Sequence, residues 1–333
     1  MSTPAPAALS AAAGAGGAGS RPVPARPAKS KRSGRGRTRA EIAILLGPAL
    51  IVFVGFVMAP MAVAAYSGFY SWNGYGPLTN YVGFDNYKEV LSDPKFFTAL
   101  KNNLFILVMS LVLQGPLAIV IALLLNRKMR GRSTLRVLLF VPYVISEAIV
   151  GVGWRLILGT GKEGGALNAL LRAVGLDGLQ HYWLNKGTAV WVLLLICTWK
   201  YLGYAIILFL AGMQGIPEEL SEAAQVDGAS FWRVQWHITL PLLGPTLRIW
   251  AFLSIIGSLQ LFDLVYVVWG KAAPSVDVST MASYMVLNGR NTLRYGFGNA
   301  AAVVMFLVSL VIALAYQRFV LRRDTEGATT DGN

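Results

Sequence analysis

The chain has 333 residues, 55% of them hydrophobic and only 14% charged, with a formal net charge of +13. An ordinary soluble domain carries about 25% charged residues, so this composition, with its apolar residues gathered in long blocks, argues for a polytopic membrane protein. The positive charge does not read as a nucleic-acid surface. It is concentrated in residues 1–40 (Arg21, Arg26, Lys29, Lys31, Arg32, Arg35, Arg37 and Arg39, with no acid) and at the ends of the apolar blocks.

Residues 1–40 are rich in Ala, Gly, Pro, Ser and Arg. They carry too little apolar surface to order themselves and read as a disordered basic tail. The Ala/Gly run before Arg21 has neither a charged n-region nor a compact Leu/Ile/Val core, so it lacks the form of a signal peptide; an Arg-rich, acid-free transit peptide is the alternative. Six apolar blocks follow, near 42–66, 104–126, 136–158, 189–213, 247–270 and 299–320. A spanning helix needs roughly 20 mostly apolar residues. None of the blocks alternates with a period of two, so they are expected to be helices rather than barrel strands. The lone cysteine, Cys197, lies in the fourth block and reads as a small buried hydrophobe.

Lysine and arginine set the orientation. The basic tail, the 127–136 loop (Arg127, Lys128, Arg130, Arg132, Arg136) and the end with Arg318, Arg322 and Arg323 share one side. The 67–103, 159–188 and 271–298 loops, less basic and containing acids, lie on the other. Both termini are therefore expected in the cytoplasm, the short 324–333 tail included. Counting spans places the 214–246 loop there too.

That loop interrupts two very apolar segments with a polar sequence. Pro217 suits a first helical turn, and Glu218 and Glu219 favour the positive end of the helix dipole. Ala223 and Ala224 are small enough for close approach by a partner. Gly228, after Asp227, can end the helix in a left-handed conformation, and Ser230 can cap a second helix. There Phe231, Val234 and Ile238 share one stripe, Trp232 and Trp236 another, before Pro241 and Pro245 lead into the fifth span. The residues alone describe a bent helix–Gly–helix element with an acidic, small-residue surface, or an interfacial elbow lying on lipid.

The order Glu222-Ala223-Ala224-x-x-Asp227-Gly228-Ala229, followed by Ile238-x-Leu240-Pro241, resembles the EAA loop in membrane subunits of binding-protein-dependent ABC importers. The segments FLAGMQGIPEELSEAAQVDGAS, VGFDNYKEVLSDPKFFTALKNN, GRSTLRVLLFVPYVISEAIVGVGWRLIL and YGFGNAAAVVMFLVSLVIALAYQRF look like the sugar-importer branch, of the maltose and glycerol-phosphate permease type. The likeness covers about residues 41–323. It departs at Gln235, where the family has an aromatic residue and this chain places Trp236 one position later.

The resemblance implies an all-α polytopic fold of six transmembrane helices, that of a type I ABC importer permease, in the cell membrane. It implies one half of the translocation pathway for a sugar, a di- or oligosaccharide, with a phosphorylated polyol as the alternative cargo. The 217–241 loop would dock into a groove on an ATPase: Glu222 making a polar contact, Ala223 and Ala224 packing closely, Gly228 forming the bend, with Asp227, Ala229 and Pro241 completing the motif. The implied partners are a cytoplasmic ABC ATPase dimer, a second related permease and an extracytoplasmic solute-binding protein, besides membrane lipid. The chain has no G-x-x-x-x-G-K-[ST] loop, so it is expected to be no enzyme and to bind no cofactor, ATP and Mg belonging to the partner.

Ionisable residues inside spans need a reason, because each costs roughly 2.5–3.5 kcal/mol on insertion scales. Glu147 and Lys200 fall mid-span in the third and fourth blocks. They either approach each other as a pair, line the path, or face the partner subunit. In the fifth block, Ser254, Gly257, Ser258, Gln260 and Asp263 spread over more than half the helix circumference, and Gln260 and Asp263 are taken as path candidates. Gln114, Pro116 and Pro142 read as packing and kink features. His181 and His237 are scattered and make no metal site. An intramembrane enzyme is disfavoured by the absence of H-E-x-x-H and G-x-S-x-G, and a secondary transporter by the small number of spans.

Overall fold

The computed structural model describes residues 35–127, 129–159 and 164–321. The expected basic tail up to residue 34, Lys128, Arg322, Arg323 and the 324–333 tail lie outside the described residues. The chain divides at Phe56 into two units. In the first, the described part is the helix Arg35–Phe53 with Pro48 inside it, running into a wide turn that starts at Val54.

Among the described residues, five helices are long and apolar enough to cross a membrane: Ile44–Ser67, Pro94–Asn126, Ala189–Gln214, Gly244–Val268 and Tyr295–Val320. A sixth crossing is possible only if Arg132–Val144 and Glu147–Leu158 act together, and these meet at 96°. The third block is thus broken, beyond the kink expected at Pro142, into two helices. Ile145 and Ser146 are both extended, and the Ser146 hydroxyl caps the second half by accepting from Ile149 N–H at 3.4 Å.

The second span begins at Pro94, earlier than the expected residue 104. Asp93 caps it by accepting from Lys95 N–H at 2.9 Å. The polar pair Asn102–Asn103, which ends the apolar run in sequence, is buried because the backbone satisfies its amides. Asn102 donates to the carbonyls of Asp277 and Ser279, both at 2.8 Å. Asn103 donates to Ser258 O at 2.6 Å and accepts from Met281 N–H at 2.8 Å. The second amide thereby staples the helix end at Leu259 to the start of the short helix Met281–Met285.

The first half of the third span lies against the fourth at backbone level. A Cβ at Gly203 would overlap the Leu139 carbonyl oxygen, so glycine is required for this approach. Apolar clusters fill the spaces between spans, one of them built on Phe209, Leu210, Leu243 and Trp250.

The loops gather at two ends. At one, Arg294 makes a two-pronged ion pair with Glu89 (2.6 and 2.8 Å), Lys186 pairs with Asp277 at 2.8 Å, and Trp269 Nε1 donates to Leu184 O at 3.1 Å. The hydrogen bond that Lys186 donates to the Asp277 carboxylate holds its ammonium above the usual lysine range, and the pair with Glu89 raises Arg294. At the other end sit the turn after Asn126, the two short helices of the 214–246 loop and the close of the last span, where Tyr316 donates to Arg248 O at 2.9 Å.

Candidate translocation cavity and coupling element

The break in the third span exposes carbonyls that a continuous helix would have paired. Lys200, on the fourth span and only 2% exposed, supplies their donor. Its Nζ lies 2.7 Å from Ile145 O, 3.4 Å from Tyr143 O and 3.5 Å from Pro142 O. This is a cation at the negative end of a helix dipole. Glu147 occupies the first turn of the second half, where the dipole is positive, and accepts a hydrogen bond from the Tyr201 hydroxyl. Of the three alternatives, the mutual pair does not form: the two charges go to different partners, with no Glu147–Lys200 ion pair within 4.0 Å among the described residues.

Beside the break lies a cavity of about 230 Å³ between the second, fourth and fifth spans, with Tyr143 reaching in from the third. Its polar wall includes Ser110, Gln114, Thr198, Ser254 and Ser258. The Ser110 hydroxyl donates to Gln114 Oε1 at 2.6 Å and meets the Ser254 hydroxyl at 2.7 Å. Its aromatic wall is Tyr143 stacked on Tyr204, with ring centroids 5.0 Å apart and planes 18° apart, together with Tyr201 and Trp250. Ser110–Gln114 forms a wide helical turn, which turns both side chains toward this space.

Gln260 and Asp263 do not line this cavity. The helix ends at Leu259 and restarts at Asp263, and both side chains are exposed in this chain. Ser254, Gly257 and Ser258 line it instead. Gln114, expected to be a packing residue, lines it too. Its signal was available in sequence: an amide well inside the apolar run, followed by Gly115-Pro116.

The 214–246 loop forms the helix Glu218–Val226, a turn, and a second helical stretch beginning at Phe231–Val234 and widening over Gln235–Thr239. Gly228 has φ +82°, Ala229 N–H bonds Ala224 O at 2.9 Å and Gly228 N–H bonds Gln225 O at 3.0 Å. These two bonds make a complete Schellman cap. Ser230 stands at the next N-cap but makes no side-chain bond there. Val234 is the buried anchor of the second stretch, Phe231 and Ile238 flank it, and Trp232 and Trp236 face outward. Arg127 sits over the Phe231 ring at 4.6 Å, joining this stretch to the end of the second span. Glu222, Ala223, Asp227, Gly228 and Pro241 are exposed, Ala224 and Ala229 half-buried, and Val226 is 88% exposed.

The profile of the binding-protein-dependent transport system inner membrane components matches residues 114–324. The chain belongs to this family. The permease is 34% identical to the arabinooligosaccharides transport system permease protein of Bacillus subtilis, over 71% of this chain and 74% of that one. It is 31% identical to the diacetylchitobiose uptake system permease protein of Streptomyces coelicolor, over 85% and 82%. Its structure is similar to a chain of the bacterial alginate ABC transporter solved in complex with alginate pentasaccharide-bound periplasmic protein. That match has a TM-score of 0.73 and 26% identity, over 86% of this chain and 96% of that one. The permease has the type I ABC importer permease fold and is a multi-pass protein of the cell membrane.

Proposed function

We propose that the permease forms half of the pathway of an ATP-driven importer for di- or oligosaccharides, coupled to a separate ATPase chain through residues 217–241. The observation that carries the coupling is the Schellman-capped helix pair, held to the bundle by Val234 and Phe231 yet presenting Glu222, Ala223 and Val226 to solvent. An exposed apolar and small-residue surface with a rigid glycine bend fits a partner groove better than free solvent. The orientation read from Lys and Arg puts this surface in the cytoplasm, where an ATPase dimer would supply ATP and Mg. A second related permease and an extracytoplasmic solute-binding protein complete the proposed assembly, the latter in keeping with the alginate transporter's periplasmic protein. The cavity supports a sugar as cargo: aromatic rings offer faces for C–H-rich sugar surfaces, and hydroxyl and amide groups fix orientation. The relatives named for arabinooligosaccharides and diacetylchitobiose agree.

The test is copurification of the tagged chain from its native host, for wild type, Glu222→Ala and Gly228→Pro. A P-loop ATPase and a second permease should accompany the wild type, with the ATPase depleted in both variants. A chain that purifies alone, or an ATPase retained equally by the variants, overturns the coupling role.

A further inference from the structure

The charge of the cargo can be read from how the cavity wall disposes of its own charges. None of the residues lining the cavity is Lys, Arg, Asp or Glu. Among the described residues, Lys200 is the one charged side chain in the buried set. It is the group that would be expected to greet an anionic substrate, and it does not line the cavity: its Nζ is turned to the carbonyls of Pro142, Tyr143 and Ile145.

A second site for an anion is closed in the same way. Broken transmembrane helices can present the positive N-terminus of a half-helix to a carboxylate or phosphate. Here the N-terminus of Glu147–Leu158 is filled by the chain itself. The Ser146 hydroxyl takes Ile149 N–H, and the Glu147 carboxylate supplies the negative charge in the first turn. That carboxylate is in turn bonded by the Tyr201 hydroxyl. Each end of the break thus already holds the charge that its dipole favours.

What remains for a ligand is uncharged. Gln114 Nε2 has no hydrogen-bond partner among the described residues, its Oε1 being taken by Ser110. The hydroxyls of Thr198, Ser254 and Ser258 and the stacked rings of Tyr143 and Tyr204 complete the set. A carboxylate or phosphate brought into such a wall loses its hydration and finds no countercharge.

We infer that this cavity selects uncharged sugars and rejects uronate-containing oligosaccharides and phosphorylated polyols. The inference rests on the sugar-importer reading above and narrows it. It also separates this permease from the alginate transporter that its fold resembles, since alginate is a polyuronate.

Cys197 provides the reporter, being the single cysteine of the chain and part of the cavity wall. The full importer, purified with its partners in lipid nanodiscs, is treated with N-ethylmaleimide, and alkylation of this chain is followed by mass spectrometry. The probes are arabinotriose, diacetylchitobiose, maltose and xylotriose on one side, alginate trisaccharide and glycerol 3-phosphate on the other. At least one neutral sugar should slow alkylation about tenfold or more, while both anions leave the rate unchanged, as expected where an unpaired buried charge is penalised. Protection by an anion equal to or greater than that by the best neutral sugar overturns the neutrality inference and leaves the sugar reading standing. Protection by no probe in either group overturns the sugar reading of this cavity, and the inference with it. If Cys197 resists alkylation without sugar, Ser254→Cys, a half-buried position of the same wall, serves as the reporter with the same outcomes.

Discussion

Replacing Lys200 by methionine tests the physical account of the broken span. The change keeps most of the apolar stem and removes the donor from three carbonyls, one at 2.7 Å and two near 3.5 Å. Two opposing terms decide the sign. Removing a mid-membrane cation relieves roughly 2.5–3.5 kcal/mol of insertion cost. Stranding buried carbonyls costs about 1–3 kcal/mol each. With one short contact near the upper figure and two long ones nearer the lower, the second term exceeds the first by about 2 kcal/mol. Removing one partner of a buried arrangement is costly because the other is left uncompensated. The assay is SDS-titrated unfolding of the purified chain in mixed micelles, comparing Lys200→Met with Lys200→Gln, which restores two donors and should recover part of the loss. Lys200→Met as stable as wild type, or more so, would show that desolvation of the cation dominates and that the break does not depend on it.

Gly203→Ala should destabilise by about 1–3 kcal/mol through overpacking against the Leu139 carbonyl; the same titration checks it, and no change would refute the backbone-level contact. At Gly228 a Cβ meets nothing within 4 Å, so Gly228→Ala incurs only the left-handed φ of +82°, about 1–2 kcal/mol. Limited proteolysis of the 217–241 element should therefore quicken in Gly228→Ala but less in Gly228→Asn, which tolerates that conformation; equal rates in both would refute the cap argument. For the Lys186–Asp277 pair, the lysine is held above its ordinary value in the folded chain. Its contribution is thus fully present below the ordinary lysine pKa of about 10.4 and is lost only as pH rises through the elevated one. The difference in thermal midpoint between wild type and Lys186→Met should stay constant from about pH 6 to 9 and shrink above that range; a difference that changes within it would contradict the assignment.

Much of this architecture is legible in hydropathy and turn chemistry. Five of the apolar blocks correspond to long helices, and the Asp227-Gly228 signal marks a real left-handed bend. The break in the third span is only partly legible: Pro142, Ser146 and Glu147 mark a weak point, but its sharpness depends on Lys200, 55 residues beyond Ile145. Ser146 lies three residues before the amide that it caps, the spacing of an N-cap. The cavity was only partly readable. A 100° periodicity carries no information about Gln260 and Asp263 once the helix stops at Leu259, and that stop is set by a distant amide, Asn103. Glu147 and Lys200 stand out as charges inside apolar blocks, but hydropathy cannot say whether such a group finds a side chain or a helix end.

The glycine notch at residue 203 also bears on motion. Two helices interlocked at backbone height cannot slide past one another without lifting apart, so the first half of the third span and the fourth travel as a single strut. The fifth span faces that strut across the cavity, and along the cavity it meets the second span through the Ser110–Ser254 hydroxyl contact and through Asn103, whose amide donates to Ser258 O. A hydroxyl contact can be remade with water or with a sugar as it parts, whereas a backbone notch cannot. Of the contacts along the polar wall, the serine pair is thus one that a passing sugar can replace, while the Asn103 staple and the glycine notch hold the spans around it.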